Sequence, residues 1–160
     1  MKRIISIAFS ILVVHTFFNI SYATDQIVEK QVDTKNQGFY YETVIEDEID
    51  LSSASLKTPN SITTTSKSKT TYYKNSSGNV MWYVKVTGVF KYGNGSATCT
   101  SSSVTAESKN TAWTIHNKSA SKSGNTATAK ATGKRHFQGI VVDTINKTVT
   151  LKCSSTGQFS

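Results

Sequence analysis

The chain has 160 residues with a formal net charge of +8, 37% hydrophobic and 18% charged residues, nine Gly, one Pro and two Cys. That length holds one domain with a real core and excludes two. Its 45 Ser and Thr residues, with little Leu, exclude a helical bundle, and the longest apolar run lies at the extreme N-terminus, which speaks against an integral membrane protein.

Lys2 and Arg3 precede an apolar run over residues 4–14, which Phe17, Phe18 and Ile20 extend. Ser21 and Ala23 then set small residues on either side of Tyr22, the spacing of a cleavage site. This order of charge, apolar run and small residues reads as a secretory signal peptide over residues 1–23. His15 and Asn19 break the run before it reaches the length of a spanning helix. The mature chain is expected to begin near Thr24 and to be secreted into the extracellular space.

Residues 24–58 form an acidic leader. Over residues 24–51 eight acids stand against Lys30 and Lys35, a net charge of −6. Residues 52–160 carry fourteen Lys/Arg against only Glu107 and Asp143, a net charge of +12. The leader is expected to be a poorly ordered solvated arm that the body does not need for folding. A second reading lays it against the basic body as a mask, through attraction screened over about 8–10 Å. Within it, residues 39–45 have the composition of a strand and residues 46–56 that of a short helix. Residues 58–71, rich in Ser, Thr and Lys, read as linker or exposed edge.

The body, residues 59–160, is expected to be an antiparallel β-sandwich or small barrel. Val80, Trp82, Val84, Val86, Gly88, Phe90 and Tyr92 alternate with Met81, Tyr83, Lys85, Thr87, Val89 and Lys91, the period of a long strand with one buried face. Gly88 suggests a bulge. The sequence Gly93-Asn94-Gly95 predicts a hairpin turn, with a return strand that carries Cys99. A strand around Trp113 and Ile115 leads to a second turn at residues 123–125. Ala127, Ala129 and Ala131 then alternate with polar residues, small side chains suited to the close approach of another sheet. A third hairpin is expected to turn at residues 145–147, between strands over 137–142 and 148–153.

Cys99 and Cys153, an even pair in a secreted chain, predict one disulfide. It would close a loop of about 55 residues, worth roughly 4 kcal/mol in the chain-entropy account. The order Cys99, Trp113, Cys153 resembles the immunoglobulin pattern of a tryptophan packed on an inter-sheet disulfide. Leu151 stands where that pattern has a tyrosine, and only seven residues follow Cys153. The resemblance therefore implies an immunoglobulin-like sandwich in general shape only, and no activity.

Catalytic chemistry has little to stand on. In the mature chain only His116 and His136 offer imidazoles, and the body has two acids to orient them. No nucleophile elbow, zinc-protease or phosphate-loop motif occurs. The expectation is a non-enzymatic protein with no cofactor and no metal. Tyr73, Met81 and Tyr83 are expected as an exposed aromatic platform, with Tyr72 as the alternative to Tyr73 and a basic rim of Lys74, Lys85 and Lys91, suited to a sugar or an anionic polymer. The expected partners are cell-wall polymer, glycan or an anionic membrane surface, and not nucleic acid. The alternative is a membrane-active or antimicrobial protein masked by its leader. The Ser/Thr-rich stretch 119–133 has the look of an inserting hairpin, but its alternate alanines are too weak for a lipid face.

Overall fold

A computed structural model describes residues 26–48 and 61–160. The expected signal peptide and most of the expected 46–56 helix lie outside these residues. Five strands make the first sheet, in the order β1 (Gln26–Val32), β2 (Phe39–Asp47), β3 (Thr63–Asn75), β4 (Val80–Gly93) and β5 (Ser96–Ser108). Three make the second: β6 (Trp113–Ser123), β7 (Thr126–Phe137) and β8 (Ile140–Lys152). Every pairing is antiparallel and joins consecutive strands. The fold is all-β, as the alternation implied, with the two sheets packed as a sandwich of two meanders.

The core forms where inward positions of the two sheets meet. From β4 come Trp82, Val84, Val86 and Phe90, and from β8 Val149 and Leu151, all buried. Opposite the β4 side chains, and beside those of β8, β7 offers Ala127, Ala129 and Ala131, each at most 3% exposed. These short side chains let the second sheet approach the large side chains of β4, as their spacing predicted. Gly133 continues the row: a Cβ there would lie 2.7 Å from Cε2 of the Trp82 ring. Gly88 has a related role. The bulge expected at it falls one step on, between Val89 and Phe90, while a Cβ on Gly88 would meet the Phe90 ring and come within 3.0 Å of the Ala127 Cβ.

Three expectations need correction. Residues 63–71 are neither linker nor edge: they open β3, which pairs with β2 on one side and β4 on the other. Its Ser68, Thr70 and Thr71 are buried. The hydroxyls of Thr43 and Thr71 bond to each other at 3.0 Å, and Ser68 donates to Glu46, so polar side chains are accommodated inside the sheet.

The acidic leader, expected as an arm, enters the first sheet over its described part. The strand expected at 39–45 is there as β2, in register with β3 from Phe39–Asn75 to Asp47–Lys67. β1 then pairs along β2. Opposite charges across the register and the aromatic contacts described below supply what its composition seemed to lack.

The third hairpin turns at Gln138-Gly139, not at 145–147, with φ of +48° and +80° at the two turn residues. Residues 145–147 lie within β8, where Thr132 donates to the Asn146 side chain at 2.7 Å. The turns predicted at Asn94-Gly95 and around Gly124 are present.

The Trp82–Gly133 contact gives a direct test of this packing. Gly133→Ala should destabilise the fold by about 1–3 kcal/mol, because the added methyl forces ring or backbone movement. Urea denaturation of the two proteins measures it, and unchanged stability would refute the close approach.

Candidate functional site

The expected aromatic platform is divided by the sheet it was placed on. Tyr73 is 1% exposed and faces the core. Met81 is also buried, at a register shift of the β3–β4 ladder. Tyr83 points the other way, pairs with Tyr72 at a centroid distance of 5.7 Å, and has the Lys109 ammonium over its ring. Burial, then the Glu107 carboxylate, pushes its hydroxyl pKa up. Lys85 is paired with Glu46 and Glu48, while Lys91 is exposed. Tyr73 and Met81 are thus lost from the platform, while Tyr83, Lys85 and Lys91 share the outward face of β4, where Tyr72, the alternative to Tyr73, lies beside Tyr83 with Lys74 over its ring.

Tyr73 instead centres an aromatic cluster. Phe39 stacks on it at 5.2 Å, Tyr41 lies at 5.0 Å, Trp82 at 5.9 Å, and Trp113 meets it edge-on at 5.4 Å. Its hydroxyl donates to Asp33 Oδ2 at 2.8 Å. The Lys35 and Asn36 backbone N–H groups and the Asn36 side chain also donate to Asp33. Burial opposes the charge on Asp33, but these bonds outweigh it and hold the carboxyl below its ordinary 3.8. Burial and the neighbouring carboxylate push the Tyr73 hydroxyl up.

Beside this cluster, between the β1–β2 turn and the inner side of β8, lies a cavity of about 460 Å³ lined by Asp33, Asn36, Tyr41, Asp143 and Asn146 among others. The Tyr41 ring there is engaged by the Lys147 ammonium at 3.9 Å and by Tyr73. Burial, then Asp33 and Asp143, raises the Tyr41 hydroxyl to about 12. Burial, the leading influence, lowers the Lys147 pKa. The cleft is polar, its aromatic ring is occupied from within, and among the described residues no cluster of three His, Cys, Asp or Glu could hold a metal.

The charges themselves sort by sheet. Lys67 pairs with Asp47, Lys74 with Glu42, Lys85 with Glu46 and Glu48, and Lys109 with Glu107. All of these lie on the first sheet or its flanks. Strands β6–β8 hold seven Lys/Arg against the single Asp143. Among the described residues none of the seven is in an ion pair. Lys130, Lys134 and Lys152 alternate with Ala131, Gly133 and Leu151 of the core, so they occupy the outer face. Asp143 lines the cleft. At one end of the outer face Thr114 Oγ1 bonds to Nε2 of both His116, at 2.9 Å, and His136, at 3.0 Å. This unpaired basic face is the candidate site. Sequence counting found its charge, but only the strand register reveals which lysines the leader neutralises.

The expected disulfide is absent: Cys99 and Cys153 are buried free thiols. Cys99 lies in β5 and Cys153 just past the end of β8, in an isolated bridge with Phe159. The Cys99 N–H bonds to the Gly124 carbonyl and the Cys153 N–H to the Asn125 carbonyl, so both chain segments attach to the β6–β7 turn. Each sulfur donates to a nearby backbone carbonyl, of Ser101 and Ser154 respectively. Burial raises both thiol pKa values, and the proximity of Cys99 adds to the effect on Cys153. Trp113 accordingly packs on Trp82 and Tyr73 and not on a disulfide.

No protein-family model, no curated protein and no solved structure matches this chain.

Two outcomes follow from these environments. Stability should fall as the pH drops through and below about 3.8, because the folded chain keeps Asp33 ionised where the unfolded chain binds a proton. Above that range the contribution is complete. Asp33→Asn should flatten part of this acid limb in pH-dependent urea melts, leaving the shares of Glu48 and Glu107, whose pKa values are also lowered. The thiols should resist iodoacetamide in the native protein at neutral pH and take up two labels in denaturant, read by intact mass. Two labels on the native protein would contradict the burial.

Proposed function

We propose that the chain is a secreted, non-enzymatic β-sandwich protein that binds a polyanionic extracellular partner through the outer face of β6–β8. The observation that carries this reading is the sorting of charge. The acidic segment makes its ion pairs with lysines of the first sheet, while Lys130, Lys134 and Lys152 on the outer face of the second are in no ion pair among the described residues. Lys147, on the inner side of β8, feels the leader's Glu29 and Asp33. A face rich in Lys and Thr without carboxylates attracts anions and holds them by dispersed contacts. Export is supported by the charge, apolar run and small residues at positions 1–23. The non-enzymatic reading is supported by the surroundings of the two histidines, which share a threonine hydroxyl and, among the described residues, have no carboxylate bonded to either ring.

Binding to dextran sulfate, used as a soluble polyanion, should weaken steeply between 0.05 and 0.5 M salt, roughly tenfold or more, because exposed charges are screened within about 10 Å at 0.1 M. The triple variant Lys130→Glu, Lys134→Glu, Lys152→Glu should lose at least about tenfold in affinity, with each single change costing a few-fold. Tyr83→Ala and Lys91→Glu, on the first sheet, should change little. Salt-independent binding, or binding lost with Tyr83→Ala and kept in the triple variant, would overturn the reading.

A further inference from the structure

The same basic face ends in an apolar tip. β6 begins at Trp113, opposite Arg135, and the bond from His136 N–H to the Ala112 carbonyl is the last link between that side and the hairpin. Residues 136–142 therefore continue as a two-stranded ribbon beyond the three-stranded sheet. On it Phe137 is 66% exposed, Ile140 68%, Val141 44% and Val142 48%. Only two other large apolar side chains among the described residues, Val32 and Ile62, are exposed to this degree. The Gln138-Gly139 turn between the strands is uncharged and tight. An apolar hollow of about 410 Å³ under the tip is lined by Ala112, Phe137 and Val142 together with Arg135 and His136.

We propose that this β7–β8 tip is a lipid anchor that enters the interface of an anionic bilayer while the outer face of β6–β8 meets the headgroups. The proposal rests on the polyanion-binding reading above and names its partner. Charge complementarity selects the lipid surface. Lys134, Arg135, His116 and His136 lie at the base of the ribbon against one acid, Asp143, which stands across from Arg135 in the register and lines the inter-sheet cleft. Basic side chains behind an apolar edge fit anionic headgroups above acyl chains. The reach also fits. About three residues per strand at ~3.3 Å each extend ~10 Å, the depth of an interfacial segment. A strand that spans a bilayer needs about 9–11 residues, so the tip anchors and does not form a pore.

The test uses the purified protein with vesicles of phosphatidylcholine alone, vesicles with 30% phosphatidylglycerol, and dextran sulfate. The double variant Phe137→Ser, Ile140→Ser removes exposed side chains and should keep the thermal midpoint of the parent. It should lose at least tenfold in partition to the anionic vesicles and keep its dextran sulfate affinity. Separately, Phe137→Trp should be quenched by brominated lipid in anionic vesicles beyond the quenching of the parent protein, without release of an encapsulated dye. If the double variant partitions as the parent does while dextran sulfate binding persists, the tip proposal falls and the basic-face reading stands. If neither vesicles nor dextran sulfate bind the parent, the basic-face reading falls and takes this one with it. Self-association abolished by the double variant, with no tip-dependent vesicle binding, would assign the tip to a second copy of the chain and overturn the lipid anchor.

Discussion

The packing around Tyr73 ties the molecule together. Phe39 and Tyr41 reach it from the leader, Trp82 from the middle of the first sheet, and Trp113 from the first strand of the second. Its ring is buried, yet its hydroxyl has a charged acceptor in Asp33. A buried hydroxyl without a partner costs about 1–3 kcal/mol. The turn that presents Asp33 is therefore as much a part of the core as the strands that present the rings. The acidic segment cannot be a detachable arm over its described length, because the central side chain of the body takes both ring contacts and its hydrogen-bond acceptor from it.

The ion pairs have a different role. Exposed and half-exposed pairs contribute only about 0–1 kcal/mol each, so they are minor in holding β2 to β3. Their effect lies in the field around the protein. By pairing with Lys67, Lys74 and Lys85, the acids of β2 and Glu48 quiet one sheet and leave the other strongly positive. A chain with its acids spread evenly would have the same net charge and no such polarity.

Much of the fold was legible because it depends on period and turn chemistry. The alternation across residues 80–92 gave β4 and its inward face, and Asn94-Gly95 and Gly124 marked their turns. The small residues of β7 announced a close sheet contact. What escaped had local reasons. The start of β3 looked like linker because its buried positions are Ser and Thr, and the Ser68 and Thr71 hydroxyls find partners only once strands 22 or 28 residues away lie beside them. Gln138-Gly139 lacks the Asn or Asp that flags a tight turn, and Asn146 supplied a false one. Tyr73 and Tyr72 could not be told apart by period, since β3 buries consecutive residues Thr70 and Thr71 on opposite faces. The candidate face was legible as an excess of positive charge, and its location was not. Location depends on which lysines sit across from acids, a property of register that composition does not contain.

The order of strands has a consequence for how the chain assembles. Because every strand after the first of each sheet pairs with its immediate predecessor, a polypeptide emerging N-terminus first waits for no distant partner within either sheet. Short loops close at little entropic expense, so hairpins can zip in sequence. The bulky inner side of β4 appears well before the alanines of β7 that cover it, and Val149 and Leu151 arrive last of all. The nascent first sheet therefore spends its early life with Trp82, Val84 and Val86 lacking their final cover. That interval, set by the length of chain between β4 and β8, is when the molecule is most prone to join with others of its kind.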